Sequence, residues 1–99
     1  MATVYVTMGD VGTRSVTGDV QIFTAKGLRG ETITSSGTSA AGSLEARARQ
    51  VAKVFCATAV YATAGASPTA APTTAIYVEA GIATYLALDE GDKIAVIDV

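Results

Sequence analysis

The sequence predicts an all-β fold, a single-domain β-sandwich or jelly roll of about eight short antiparallel strands over residues 1–99, and three observations carry that expectation. Glycine punctuates the chain at ten positions while proline occurs only at Pro68 and Pro72. The runs between these breaks are short and rich in Val, Ile, Thr and Tyr, the residues that suit a pleated surface. The spacing of runs and turns is close and even, as in sandwiches and jelly rolls.

Strands are expected at Thr3–Thr7, around Val4, Tyr5 and Val6, and at Asp19–Thr24, around Val20, Ile22 and Phe23. Between them "MGDVGTRS", Met8 to Ser15, reads as a loop: Gly9, Gly12 and Arg14 lack the lysine and helix start of a phosphate-binding loop. Glu31–Ser35 is the third strand, and "SSGTSAAGS", Ser35 to Ser43, is the loop after it. Val51–Ala57 and Val60–Ala64 come next, then the proline-bearing loop Gly65 to Thr74, then Ile76–Val78. A bend at Gly81 leads to Ala83–Leu88, and "LDEGDK" reads as a hairpin loop with Gly91 in the left-handed position before Lys93–Asp98.

One segment admits a second reading. Leu44, Ala48, Val51, Ala52 and Phe55 recur at helical spacing, Ser43 is a suitable cap, and Glu45 with Arg49 makes a favourable pair one turn apart. An α+β fold with one helix near 44–56 is therefore the alternative. The strand reading draws on the residues downstream, since Val54, Val60 and Tyr61 continue the run and no helix stop precedes Gly65.

Composition points to burial against a partner. The apolar fraction is 49% and only 16% of residues are charged, against about 25% in ordinary soluble domains. A chain this short buries only about 65% of its unfolded surface in its own core. Too few charges remain for a solitary surface.

Function classes fall away by residue type. The net charge of −2 is scattered, and the nearest basic cluster, Arg47, Arg49 and Lys53, includes Glu45, so nucleic acid is not an expected partner. No apolar stretch reaches the roughly 18 residues that span a bilayer, and the N-terminus lacks the order of a signal peptide. Synthesis and retention in a cytoplasm without membrane contact are expected. The single Cys56 forms no internal disulfide and reads as a small buried hydrophobe. Without histidine, Ser-His-Asp and Cys-His mechanisms and the usual zinc or iron ligation are excluded. No cofactor and no metal are expected. Asp89, Glu90 and Asp92 are assigned to a solvated hairpin tip, and Tyr5, Tyr61, Tyr77 and Tyr85 to strand faces or a subunit contact.

The closing strand raises a further question. Ile94 and Val96 lie on one of its faces and Ala95, Ile97 and Val99 on the other, and both faces are apolar, whereas an antiparallel strand normally turns one face to water. Leu86, Leu88, Ile94 and Val96 are expected in the domain's own core. Tyr85, Ile97 and Val99, with Val4, Tyr5, Val6 and Ile22, are expected at a face completed by another protein.

The second half of the chain resembles a group of short structural proteins of tailed bacteriophages. The matching positions are Tyr61, Ala62, Ala64, Gly65, Pro68, Thr69 and Ala70, then Ala80, Gly81, Tyr85, Gly91, Asp92, Lys93, Ala95, Val96 and Ile97. The resemblance implies a strand rather than a helix at 44–56 and a place in the virion. It implies a non-enzymatic capsid decoration or cement protein that stabilises the head lattice through multivalent contacts with the major capsid protein or other virion proteins. Assembly as a homo-oligomer, a dimer or trimer, would accompany that role. The alternative is a tail or neck accessory or host-adsorption module using the loops Ser35–Ser43 and Gly65–Thr74. An enzyme on a cupin-like jelly roll has no metal-binding histidines to draw on.

Overall fold

In the computed structural model, which describes residues 2–15 and 19–99 with the side chains of 13–22 outside the description, ten strands form and no helix is present among the described residues. They are β1 (Thr3–Gly9), β2 (Val11–Ser15), β3 (Asp19–Phe23), β4 (Arg29–Thr34), β5 (Ala40–Ala41), β6 (Val51–Cys56), β7 (Val60–Gly65), β8 (Ile76–Val78), β9 (Thr84–Ala87) and β10 (Lys93–Asp98). All eight expected strands are there. Two more lie in segments read as loops: β2 replaces the loop Met8–Ser15, and β5 interrupts Ser35–Ser43.

The helix considered for 44–56 does not form. Val51–Cys56 is β6, whose Ala52, Val54 and Cys56 face inward while Val51, Lys53 and Phe55 alternate with them. β6 pairs with β1 on one side and β9 on the other, so its backbone groups are satisfied by neighbours and the coincidental helical spacing carries no weight. Residues 44–50 are irregular, with Arg49 at φ 61°.

Two four-stranded antiparallel sheets stack face to face, the first in the order β4-β1-β6-β9 and the second in the order β5-β10-β7-β8. One core joins them: Val4, Val6 and Met8 from β1, Ile33 from β4, Ala52, Val54 and Cys56 from β6, Val60 and Ala62 from β7, Val78 from β8, and Ile94 and Val96 from β10. These side chains are mostly small, so the layer between the sheets holds by close packing of many groups. Leu88 is buried and Leu86 packs against the cluster, as expected of both. β2 and β3 stand apart as a two-stranded arm that extends the β1–β4 ribbon.

The chain changes sheet between β4 and β5, β5 and β6, β6 and β7, β8 and β9, and β9 and β10. "LDEGDK" is thus an arch between sheets and not the hairpin expected, because β9 pairs with β6 while β10 pairs with β7. Gly91 does take the left-handed conformation, at φ 87°. The arch is laced to the irregular segment: Gly91 N–H donates to the Ala46 carbonyl and Ala46 N–H to the Asp92 carbonyl, each at 2.8 Å.

Two polar groups hold that irregular segment. Gln50 is buried, and its Oε1 accepts from Arg47 N–H at 2.9 Å and from Arg29 Nη2 at 2.7 Å. Glu31 points inward from β4 and its carboxylate accepts from Ser43 N–H and Leu44 N–H, both at 3.1 Å. β4 is a sheet edge, and inward charges occupied in this way also discourage pairing with foreign strands.

The second face of β10 is largely covered from within the chain. The loop leaving β7 at Gly65, opposite Lys93, carries Ala70 to a 2.8 Å bond with the Ser39 hydroxyl, beside β5 on the far side of β10. To reach Ser39 it crosses the outward side of β10. Ala95, which points that way, is 0% exposed, and Ala70 is buried as well.

Candidate functional site

The outward face of the first sheet has no such cover. β1 alternates strictly, so Thr3, Tyr5 and Thr7 point outward while Val4, Val6 and Met8 enter the core. The pairings Tyr5 with Phe55 and with Thr32, and Lys53 with Thr7 and with Tyr85, place Thr32, Tyr5, Phe55, Lys53 and Tyr85 on one surface. Tyr5 is 53% exposed and Tyr85 58%. A shallow groove runs between β1 and β4 along Tyr5, Thr7, Gly30 and Thr32.

The base of the arm adds to this surface. Phe23 packs on Tyr85 with ring centroids 5.8 Å apart, within the range for favourable aromatic pairs. Phe23 and Leu28 together fill the space beside Gly9 that a side chain there would occupy, so Gly9 is what lets the arm root close against the sheet. Leu28 and Val11 remain exposed next to it.

The residues expected at an interface separate into three groups. Tyr5 and Tyr85 share the outward face of the first sheet. Val4 and Val6 are corrected to core positions, each essentially inaccessible; period-two alternation forbids them from sharing a face with Tyr5, and that signal is readable in "TVYVT". Ile97 lies half-buried on the opposite side of the sandwich, and Val99 is exposed at the end of β10. The Ile22 backbone pairs with Gly12, and its side chain and that of Arg14 lie outside the described residues. Phe55, Lys53, Phe23 and Leu28 join the face without having been expected there, although alternation against the inward Ala52, Val54 and Cys56 marks the first two.

The remaining polar clusters are structural. Asp92 accepts from Asp89 N–H at 2.8 Å and so closes its own arch. Ser35 is buried where the chain ends converge: its hydroxyl accepts from Ala2 N–H at 2.9 Å and donates to Asp98, whose carboxyl it holds below the ordinary carboxylate value. Cys56 is buried with Sγ donating to the Thr3 carbonyl. Among the described residues, no three histidine, cysteine, aspartate or glutamate side chains gather as a metal site, and no helix is long and apolar enough to cross a membrane.

No family model, no curated protein and no solved structure matches this chain.

Proposed function

We propose that this chain is a non-enzymatic structural protein of a tailed-phage virion, a decoration or cement protein that binds the head lattice through the outward face of its first sheet. The observation that carries the reading is the exposure of Tyr5 and Tyr85 together on the outward face of the first sheet; on the second sheet a loop covers part of the outward face and Tyr77, packed edge-on against Tyr61, is the exposed aromatic. Exposed aromatic surface of this kind marks a contact site, and tyrosine supplies large contact area at low entropic cost. The resemblance of residues 61–97 to phage structural proteins supports it. So does the strand order, which fits a jelly roll in which the strand usually closing the chain comes first, as β1 between β4 and β6.

The mechanism is clamping. Each copy adds modest binding energy against the major capsid protein, and many copies, self-associated as a dimer or trimer, make the lattice hard to open. The adsorption alternative would use the loops Ser35–Ser43 and Gly65–Thr74, which are tied to one another through Ser39 and Ala70. Purified particles stripped of the protein and then reconstituted provide the test: heat and pressure resistance should fall and return. Unchanged resistance, or failure of Tyr5→Asp to weaken binding to empty particles, would overturn the proposal.

A further inference from the structure

We propose that the end of the sandwich where β4 begins carries a carboxylate-binding site built on the Arg29 guanidinium, with Arg47 and Arg49 beside it. The inference uses a surface apart from the outward face of the first sheet and does not depend on the virion reading.

Arg29 shares the inward register of β4 with Glu31 and Ile33 and lies opposite the buried Met8. Its charge faces a neutral group. Nη2 donates to Gln50 Oε1 at 2.7 Å, and the same oxygen takes the Arg47 N–H at 2.9 Å, so both of its lone pairs are used. Gln50 is fixed in place: it is buried, and its carbonyl accepts the Leu88 N–H at 2.9 Å. Arg29 Nε, on the same edge of the guanidinium as Nη2, is buried without a partner. An amide offers that edge one oxygen where a carboxylate offers two. Among the described residues no carboxylate pairs with Arg29, and Glu31 on the same strand is committed to the Ser43 and Leu44 N–H groups. A positive charge drawn partly out of water with no counter-ion is costly. Nη1 has no hydrogen-bond partner among the described residues and is not buried, so the second edge of the fork is open to an anion from outside.

The surroundings select the anion. Arg47 and Arg49 are exposed within three residues of Gln50, and Arg49 holds φ 61°, a left-handed conformation that costs a non-glycine residue free energy and that collects at binding sites. The bonds of Ala46 to Gly91 and Asp92 bring the acidic arch alongside this segment, and Glu45, Asp89 and Glu90 are exposed there. A polyanion such as nucleic acid meets repulsion from these groups. A single carboxylate needs only one guanidinium fork and a neighbouring cation. The ligand class is therefore a carboxylate, either an Asp or Glu side chain of another protein or a small free carboxylate.

Nuclear magnetic resonance of the 15N-labelled full-length protein tests the proposal through the Arg29 Nε–H signal, which burial shelters from solvent exchange. Propionate and the capped peptide acetyl-Gly-Glu-Gly-amide, each titrated at constant ionic strength, should move that signal saturably. Peptide binding at least as tight as propionate assigns the site to a protein side chain, and binding of propionate alone assigns it to a free carboxylate; both support the site. Gln50→Glu supplies the second oxygen and the missing charge internally and should weaken binding about tenfold or more. Arg49→Gly relieves the strain, so it should fold at least as stably as the wild type while binding more weakly, and it carries the test where Gln50→Glu fails to fold. Absence of a saturable shift with either probe, an equal shift with sodium chloride, undiminished binding by folded Gln50→Glu or by Arg49→Gly, or tighter binding of single-stranded DNA would each overturn it.

Discussion

The Glu31 carboxylate occupies the space that a side chain at Gly42 would need, and from there it accepts the Ser43 and Leu44 N–H groups. One acidic residue on an edge strand thus anchors the segment that returns from the second sheet to the first. A methyl group at position 42 forces the carboxylate away and costs both bonds. Gly42→Ala and Glu31→Ala should each destabilise by about 2 kcal/mol, the scale of hydrogen bonds to a charged group. The double variant should cost clearly less than the sum. Urea denaturation of the four proteins measures the cycle, and strict additivity would refute the shared cause.

Neighbouring residues of β1 should respond oppositely to the same substitution. Val6 is in the core, so Val6→Asp leaves a buried unpaired charge and should prevent folding. Tyr5→Asp sits on the outward face and should change stability by no more than about 0.5 kcal/mol. Thermal melting followed by circular dichroism distinguishes them.

Glycines should separate by backbone angle. Gly91 and Gly81 hold φ values of 87° and 75° with open space around them, so alanine there meets only backbone strain, about 1–2 kcal/mol. Gly65 has equal space and no positive φ, and Gly65→Ala should be neutral or stabilising by up to about 1 kcal/mol. Denaturant midpoints of the three variants decide this.

The Ser35–Asp98 contact should appear in the pH dependence of stability. The folded carboxyl titrates below its ordinary value of 3.8, so the unfolded chain binds the proton more readily and stability falls as pH drops through that range. The contribution is fully present above 3.8 and is lost as pH falls through the lower folded value. Ser35→Ala should flatten the part of the stability curve that lies below about pH 4, measured by urea unfolding at successive pH values.

Core truncation should be costly because the side chains between the sheets are few and small. Ile94 is fully buried and contacts the shared cluster. Ile94→Ala should cost about 2–5 kcal/mol, readable by the same unfolding experiment, while Ile76→Ala, at a position 46% exposed, should cost much less.

Much of this architecture is legible in the sequence. Runs such as Val4-Tyr5-Val6 and Ile94-Ala95-Val96-Ile97 are strands for a local reason, since branched and aromatic side chains suit the pleat, and Gly81 and Gly91 mark turns that need a positive φ. β2 escapes because Gly9, Gly12 and Arg14 weaken the local signal, and β5 because two alanines become a strand only by pairing with β10. The candidate interface is half legible: Tyr5 and Tyr85 stand out, and Val4 and Val6 are misplaced unless the alternation that separates them is applied.

Local preference alone determined the predominantly β character, the principal strands other than β6 and the glycine turns, because each depends on a few adjacent residues, whereas β6 became a strand and not a helix by pairing with β1 and β9. Tertiary structure alone decided which strands pair, and so turned "LDEGDK" from hairpin to arch, since a turn with Gly91 in the left-handed conformation serves either connection and only the partners β6 and β7 distinguish them. It also decided what covers the second apolar face of β10. The loop between β7 and β8, held by Ala70 on Ser39, covers much of it, while Tyr5 and Tyr85 on the opposite sheet and Tyr77 at the β8 edge stay exposed, because burial depends on what the fold brings alongside.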